Sequence, residues 1–276
     1  LYIAPMDAAT NILGPTATQE MIDSFNEMHG LDRPYLTQLV DTFKNLVTFD
    51  LGNSYVDNAP VIPALMSRFP ITLQVTFWSM LVALIIAIPA GIISAIKPYS
   101  TFDYVAMFFA LLGLSIPNFW LGLMLILLFA VKLDVLPSSF DPNNWMTLIM
   151  PAIVVGTGMS ASIARMTRSS MLEVKNSDYI LTARAKGLPE RKVVLKHILG
   201  NAMIPIVTTI GMSFGGLMGG ASVTEKVFNI NGLGSYIVDK QFIPDVPVVL
   251  GGVVYISFVV SLMNLLVDIL YAVIDP

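Results

Sequence analysis

ARMTRSSMLEVKNSDYILTARAKGLPERKVVLKHILGNAMIP, residues 164 to 205, holds eight of the fifteen lysines and arginines in a 276-residue chain. Apolar runs of about twenty residues flank it on both sides, enough to cross a bilayer. A basic segment between two such runs reads as a helical, water-facing loop. Within it Ser177 or Asp178 is placed to cap a short helix that carries Tyr179, Ile180, Ala183 and Ala185, and Gly187 is placed to end it. Pro189 and Glu190 suit the first turn of the next helix, where Arg191, Lys192 and Lys196 alternate with Val193, Val194, Leu195 and Ile198. Helix, glycine, helix makes a compact knuckle. Its alanines allow close backbone approach, and Tyr179, Ile180 and Leu188 offer anchors for a groove on a partner. Topology and anionic lipid account for the cations but not for the spacing of Ala183, Ala185 and Gly187, which favours docking.

Composition agrees with a membrane setting. The chain is 55% hydrophobic and 12% charged, with a net charge of −4 and no cysteine. That balance excludes an ordinary soluble domain and, lacking clustered cations on a tail, argues against nucleic acid. Without thiols, and with His29 and His197 far apart in sequence, no metal site is expected.

Residues 5 to 70 form the long polar region outside the loop, with eight acidic residues against three basic ones. Thr16 with Gln19 resembles a capping box, Met21, Phe25 and Met28 make an apolar stripe, and Gly30 ends that helix. Asp32 and Pro34 start a second, with Leu36, Leu39, Val40, Phe43, Leu46 and Val47 on one face that packs on neighbours or lies on the bilayer. The expectation is a small helical cap in 1–70, preceded by the end of a first span, and a transmembrane region in 71–276. Five spans are expected, at about 71–96, 104–131, 146–164, 202–223 and 248–274. The loops at 97–103 and 165–201 hold nine of the basic residues and the opposite side six, spread over more chain. That asymmetry puts 165–201 and Pro276 in the cytoplasm and the acidic cap outside. A start at Leu1 on the outer side suggests that a sixth, N-terminal span precedes this sequence.

Asp268 is the one charged residue inside these five spans, near the cytoplasmic end, where it reads as a structural anchor. The run GMSFGGLMGGAS, residues 211–222, lies in an apolar span and lacks the lysine of a phosphate loop. Gly211, Gly215 and Gly219 repeat every four residues, as do Gly216 and Gly220, giving two faces for close helix packing or room beside a pathway. Met212, Gly215, Gly216 and Gly219 are therefore candidates to line a pathway, together with Asn118. Pro89 and Pro117 interrupt two other spans. No catalytic constellation or cofactor fingerprint is present, so the chain is not expected to be an enzyme.

RMTRSSMLEV (165–174), DYILTARAKGL (178–188) and NAMIP (201–205) resemble the membrane-spanning permease subunits of bacterial ABC importers, in the dipeptide, oligopeptide and nickel branch. GLDRP (30–34), DLGNS (50–54), SIPNFW (115–120), NGLG (231–234) and DVPVV (245–249) extend the resemblance along nearly the whole chain. It implies an all-α, polytopic type I importer fold with six spans, the first absent here, in a cell membrane. It implies that Tyr179, Ile180, Thr182, Ala183, Arg184, Ala185, Lys186, Gly187 and Leu188 form the EAA loop that couples to a cytoplasmic ATPase. Leu181 stands at the acidic position that names that motif, Asn231 where proline is usual, and Met6 where glycine is usual. The implied partners are a second homologous permease, two ATPase subunits that carry ATP and Mg, and an external substrate-binding protein; this chain itself binds no cofactor. The implied cargo is a di- or oligopeptide, with nickel or another metal chelate, or an oligosaccharide, as the alternative. A secondary carrier or channel, and a membrane-anchored peptide receptor, are the rivals from other classes.

Overall fold

A computed structural model describes residues 8–274, with side chains as far as Ile269. Met6 and Pro276, and with them the expected turn at Met6 and the position of the C-terminus, lie outside the described residues. Among the described residues every regular element is a helix. In order these are α1 (Ala8–Leu13), α2 (Gln19–His29), α3 (Tyr35–Val47), α4 (Val61–Ile96), α5 (Thr101–Ser115), α6 (Asn118–Lys132), α7 (Trp145–Lys175), α8 (Asp178–Ala185), α9 (Glu190–Met218), α10 (Ser222–Val227), α11 (Leu233–Phe242) and α12 (Val246–Ile274).

Four of these, α4, α7, α9 and α12, are long and apolar enough to cross a membrane, and α5 with α6, bent by 98° at their junction, pass the same test together as a broken span or a re-entrant pair. The expected continuous span at 104–131 is thus two helices. The cause is local: Pro117 has no N–H to donate and forces Ile116 into an extended conformation, φ −77° and ψ 121°, which ends α5. Pro89, by contrast, sits within the continuous α4. Further along, α6 widens into a π-helical stretch, with the Leu133 N–H reaching back five residues to Leu128 O at 3.0 Å.

Other boundaries also move. The cap of α2 is Thr18, whose hydroxyl accepts from Met21 N, rather than Thr16; Gly30 ends it at φ 66° as expected. Helix α4 begins at Val61, ten residues before the apolar run that announced it, and α7 continues past residue 164 to Lys175. The basic residues of the opening stretch therefore stand mostly on helical extensions of the spans, and the loop proper narrows to 176–189. Helix α9 ends at Met218, so Gly220, at φ 90°, lies beyond it and not on a helical face with Gly216.

Two glycines set the central crossing of α4 and α7. A Cβ on Gly91 would stand 2.8 Å from Ala164 O, and one on Gly156 would stand 2.7 Å from Ser79 O. Backbones approach that closely only where one helix lacks side chains. Between these points Met80, Ala83 and Ala87 of α4 pack on Ile163 and Ala164 of α7. The bundle's two ends differ. At the loop end, Met171, Ile180, Val193, Val194 and Ile198 form a buried cluster with Ala95. At the cap end, Val61, Leu65, Leu233, Tyr236, Ile237 and Val248 form another.

Candidate functional site

The knuckle at the loop end is built by local rules. Gly187 adopts φ 74°; its N–H donates to Arg184 O at 2.9 Å, and Leu188 N donates to Ala183 O at 3.4 Å. This pair of bonds is the Schellman closure of a helix C-terminus, which needs a left-handed residue at that point. Pro189 then caps α9, accepting from Lys192 N and Val193 N at 2.8 and 3.1 Å.

Three cations fix the knuckle to the bundle. Arg184 grips Glu190 with two bonds, Nη2 to Oε1 at 2.7 Å and Nε to Oε2 at 3.2 Å, tying α8 to the first turn of α9. Lys175 donates to Ala95 O and Ile96 O at 3.1 and 3.0 Å, satisfying the last carbonyls of α4. Arg168 forms a fork with Asp103 on α5, both bonds at 2.7 Å. Charge that sequence reasoning treated as a topology marker thus also makes specific bonds. Glu190 and Asp103 were the missed partners; Asp103 carried no sequence sign beyond being an acid in the first turn of a helix.

The candidate docking residues divide into two faces. Ile180 is fully buried in the cluster of Met171, Val193 and Ile198, and Ala183 is nearly buried. Ile180 therefore fastens the knuckle to its own chain instead of offering an anchor. Leu188 and Arg184 are half-buried. Tyr179, Thr182, Ala185, Lys186 and Gly187 face outward, as does Leu181, which is 57% exposed.

The candidate pathway residues divide similarly. Gly215 lies against Met263 and Val260 of α12 and Gly211 against Val267, so this face of α9 is in helix packing, and Gly219, the residue that follows the helix, lies against Ile256. Gly216 has open space where a side chain would be, and with Asn118, Gly158, Ser162, Ser213 and Leu217 it borders a groove of about 280 Å³. Met212 is exposed. Asn118 reaches the groove because the break at Pro117 places it at the start of α6. Asp268 is exposed, one residue beyond the packed Val267.

The cap end holds polar clusters that sequence reasoning missed. Glu225, fully buried, accepts from the Thr72 hydroxyl at 2.9 Å and from Ser235 N at 2.6 Å, while Thr72 accepts from Leu233 N at 2.8 Å. Residues from α4 and α10 thereby cap the N-terminus of α11. Burial raises the Glu225 carboxyl above its usual range, against these bonds. Nearby, the buried Asp245 accepts from the Ser54 hydroxyl at 2.5 Å and from Tyr55 N at 3.0 Å, and Lys240 bridges Asp57 and Asp245 at 3.0 and 3.3 Å. Hydrogen bonding around Ser54, opposed by desolvation and joined by Lys240 and the Ala59 N–H, holds Asp57 down to about 2. The DLGNS, NGLG and DVPVV stretches carry several of these groups, but nothing in either sequence neighbourhood points to the other. Among the described residues no cluster of histidine, aspartate or glutamate is arranged to hold a metal ion.

Residues 87–276 match the family described as binding-protein-dependent transport system inner membrane component. The chain is 40% identical, over all of its length and 91% of the relative's, to the dipeptide transport system permease protein of Alkalihalophilus pseudofirmus. It is 42% identical to the glutathione transport system permease protein of Escherichia coli K12, covering all of this chain and 90% of that one. It is 40% identical to the oligopeptide transport system permease protein of Bacillus subtilis, covering 99% and 90%. In fold it is similar to a chain of the inward-facing MetNI methionine ABC transporter, at TM-score 0.64 and 20% identity over 78% of this chain and 98% of that one. The apolar helices, the knuckle between α7 and α9 and these relatives converge: the chain belongs to the family of inner membrane components of binding-protein-dependent transport systems.

Proposed function

We propose that this chain is one of two permease subunits of an ATP-driven importer of di- or oligopeptides, and that it docks on a cytoplasmic ATPase through the outward face of its knuckle. The observation that carries the docking is the separation of faces on α8. Ile180 and Ala183 are held inside by this chain's own core, while Tyr179, Thr182, Ala185, Lys186 and Gly187 remain exposed on a rigidly stapled turn. A loop needed only for topology has no use for that rigidity. ATP and Mg belong to the ATPase subunits, and this chain supplies no hydrolytic group. ATP binding brings the ATPases together, the knuckles follow, and the permease pair passes from inward-open to outward-open; each ligand drives this only through its differential affinity for the two states.

The knuckle and the C-terminus are cytoplasmic in this reading, and the cap end faces outside, where residues 5–70 and 229–245 seat a substrate-binding protein. Peptide cargo is supported by the names of the dipeptide, oligopeptide and glutathione permeases at 40 to 42% identity, against metal chelates or sugars. The groove beside Asn118 and Gly216 is this chain's side of the pathway, closed by the second permease.

The test separates docking from folding. Ala185→Arg, on the exposed face, leaves the spans and their packing intact yet abolishes substrate-stimulated ATP hydrolysis and recovery of the ATPase with the purified complex. Ala183→Arg, at the buried position, also lowers the yield of the permease itself. Unchanged assembly and stimulated hydrolysis in Ala185→Arg refutes the docking role, and stimulation by sugars or metal chelates but not peptides refutes the cargo.

A further inference from the structure

Helix α3 is built the wrong way round for a helix in water. Its polar side is turned toward the preceding turn and α12: the Gln38 amide donates to Leu31 O and Arg33 O at 3.0 and 2.8 Å, and the half-buried Thr42 lines a cavity shared with α12. Its apolar side is turned away. Leu36, Val40, Phe43 and Val47 fall within one narrow sector of the helix and are 71%, 64%, 61% and 79% exposed. An amphipathic helix normally buries such a stripe, and a patch of this size rimmed by polar residues marks an interaction surface.

The depth of α3 says what covers it. Thr42, Asn45 and Leu46 share a cavity of about 680 Å³ with Val246, Pro247 and Leu250, the opening turns of α12. Four residues further along the chain from Val47, Leu51 packs against Val61 and meets α12 at Gly251. The C-terminal half of α3 is therefore level with the first five or six residues of α12, which at ~1.5 Å per residue is within ~9 Å of where that helix begins. Helices that lie in a membrane interface bury their apolar face by ~5–10 Å, which is this depth. On α12 itself Val253 and Phe258 are likewise exposed, at 53% and 61%.

We infer that α3 is an interfacial helix, lying along the bilayer surface at the cap end with Leu36, Val40, Phe43 and Val47 inserted among the lipid chains. Asp41 and Lys44 leave the helix without net charge, so the anchor is apolar and holds equally on zwitterionic and anionic lipid. The inserted helix carries the Ser54–Asp57 segment that bonds Lys240 and Asp245, so it fixes the height of the cap-end loops over the membrane. This goes beyond the permease reading, and it is independent of cargo and of ATPase docking.

The chain contains no cysteine, so single substitutions give unique labelling sites. Leu36→Cys, Val40→Cys, Phe43→Cys, Val47→Cys, Thr37→Cys and Asn45→Cys are each made in the full complex with cysteine-free partner subunits. Each is labelled with a nitroxide and reconstituted into phosphatidylcholine vesicles, with and without phosphatidylglycerol. Collision with oxygen, which concentrates in lipid, is compared with collision with a water-soluble nickel chelate. The expected result is a ratio of oxygen to nickel collisions higher at the first four sites than at Thr37 and Asn45, and the same in both lipids. Nickel-dominated collision at all six sites means the stripe is in water and overturns the inference. Immobile labels shielded from both reagents mean another protein covers the stripe and overturn it equally. ATPase activity of the same samples reports separately on the importer reading.

Discussion

The fork between Arg168 and Asp103 is the most exacting test of how the loop end is held. Asp103 is 2% exposed, and its two oxygens accept from Arg168 Nε and Nη2, both at 2.7 Å. A third donor, Tyr99 N at 2.8 Å, shares Oδ2, and Tyr99 itself is held at φ 62°, a left-handed conformation that a tyrosine adopts only at a cost. Breaking a buried pair by removing one partner costs about 3–5 kcal/mol, because the other charge is left without compensation. The Tyr99 N–H stays with Asp103 in Arg168→Ala, and one retained hydrogen bond offsets about 1 kcal/mol. The expected destabilisation is therefore roughly 2–4 kcal/mol. Asp103→Ala leaves Arg168 at a site where it is already 23% exposed and can reach water, but it releases the Tyr99 turn. The double variant loses no more than the worse single one, so the coupling energy in a double-mutant cycle is at least the smaller of the two single losses, within the roughly 0.5–3 kcal/mol of contacting pairs. The cycle is read from unfolding of the complex in mixed micelles, followed by helicity. A coupling energy below about 0.5 kcal/mol would refute the reasoning, since the two side chains would then act independently.

Two further outcomes follow from neighbouring features. Gly187→Ala places a methyl group where no atom lies within 4 Å, so its effect is conformational alone; at φ 74° it costs about 1–2 kcal/mol. Hydrogen exchange at the Gly187 and Leu188 amides then quickens about 5- to 30-fold, with Gly187→Asn milder; equal rates in all three proteins contradict the Schellman closure. At the cap end, Asp57 has a depressed folded-state pKa of about 2, so its contribution is present above its usual value and is lost as pH falls through about 2. The 54–58 segment keeps its exchange protection down to pH ~4 and loses it between there and pH ~2. Because the Ser54 hydroxyl is the largest cause, Ser54→Ala moves that loss to higher pH. Opening already near pH 5 in the unaltered protein, or an unmoved midpoint in Ser54→Ala, sinks this account.

What the chain announced in advance was what its local chemistry decides. Gly187 before Leu188-Pro189 marks a helix stop from five residues of sequence, and Gly30 does the same at the end of α2. The apolar runs gave the spans because hydropathy over about twenty residues is a strong constraint. Hydropathy was blind to the break at Pro117, since both sides of the bend are equally apolar; only the pre-proline restriction on Ile116 ends α5. It also missed the first ten residues of α4, where Ser67 and Arg68 interrupt the apolar run. The polar clusters were illegible for another reason. Ser54 and Asp245 are 191 residues apart in the chain, and Thr72 and Glu225 are 153 apart. No window of sequence contains both partners.

The cations of the opening stretch illustrate where local reading stops. Counted along the sequence, Arg168, Lys175 and Arg184 are interchangeable contributions to a charge asymmetry that orients a membrane protein. In the fold each has a distinct acceptor: the carboxylate of Asp103, the terminal carbonyls of α4, and Glu190. Arginine takes the two carboxylates, where its fork makes paired bonds, and lysine takes the two carbonyls, where a compact ammonium donates to both. The remaining cations of the knuckle, Lys186, Arg191, Lys192 and Lys196, stay exposed. Orientation needs only that the charge be somewhere on this side. If a partner docks on α8 as proposed, force passes into the bundle through the three bonded ones, because each ties a different helix (α5, α4 or α9) to the knuckle or its α7 stem. Neutralising an exposed lysine such as Lys192 therefore leaves the knuckle unchanged, whereas Arg184→Lys, which keeps the charge and loses the fork, loosens the α8–α9 junction by no more than about 1 kcal/mol, since the pair is partly exposed and Ile180 still holds α8 to the core; hydrogen exchange at the Gly187 and Leu188 amides reads the difference.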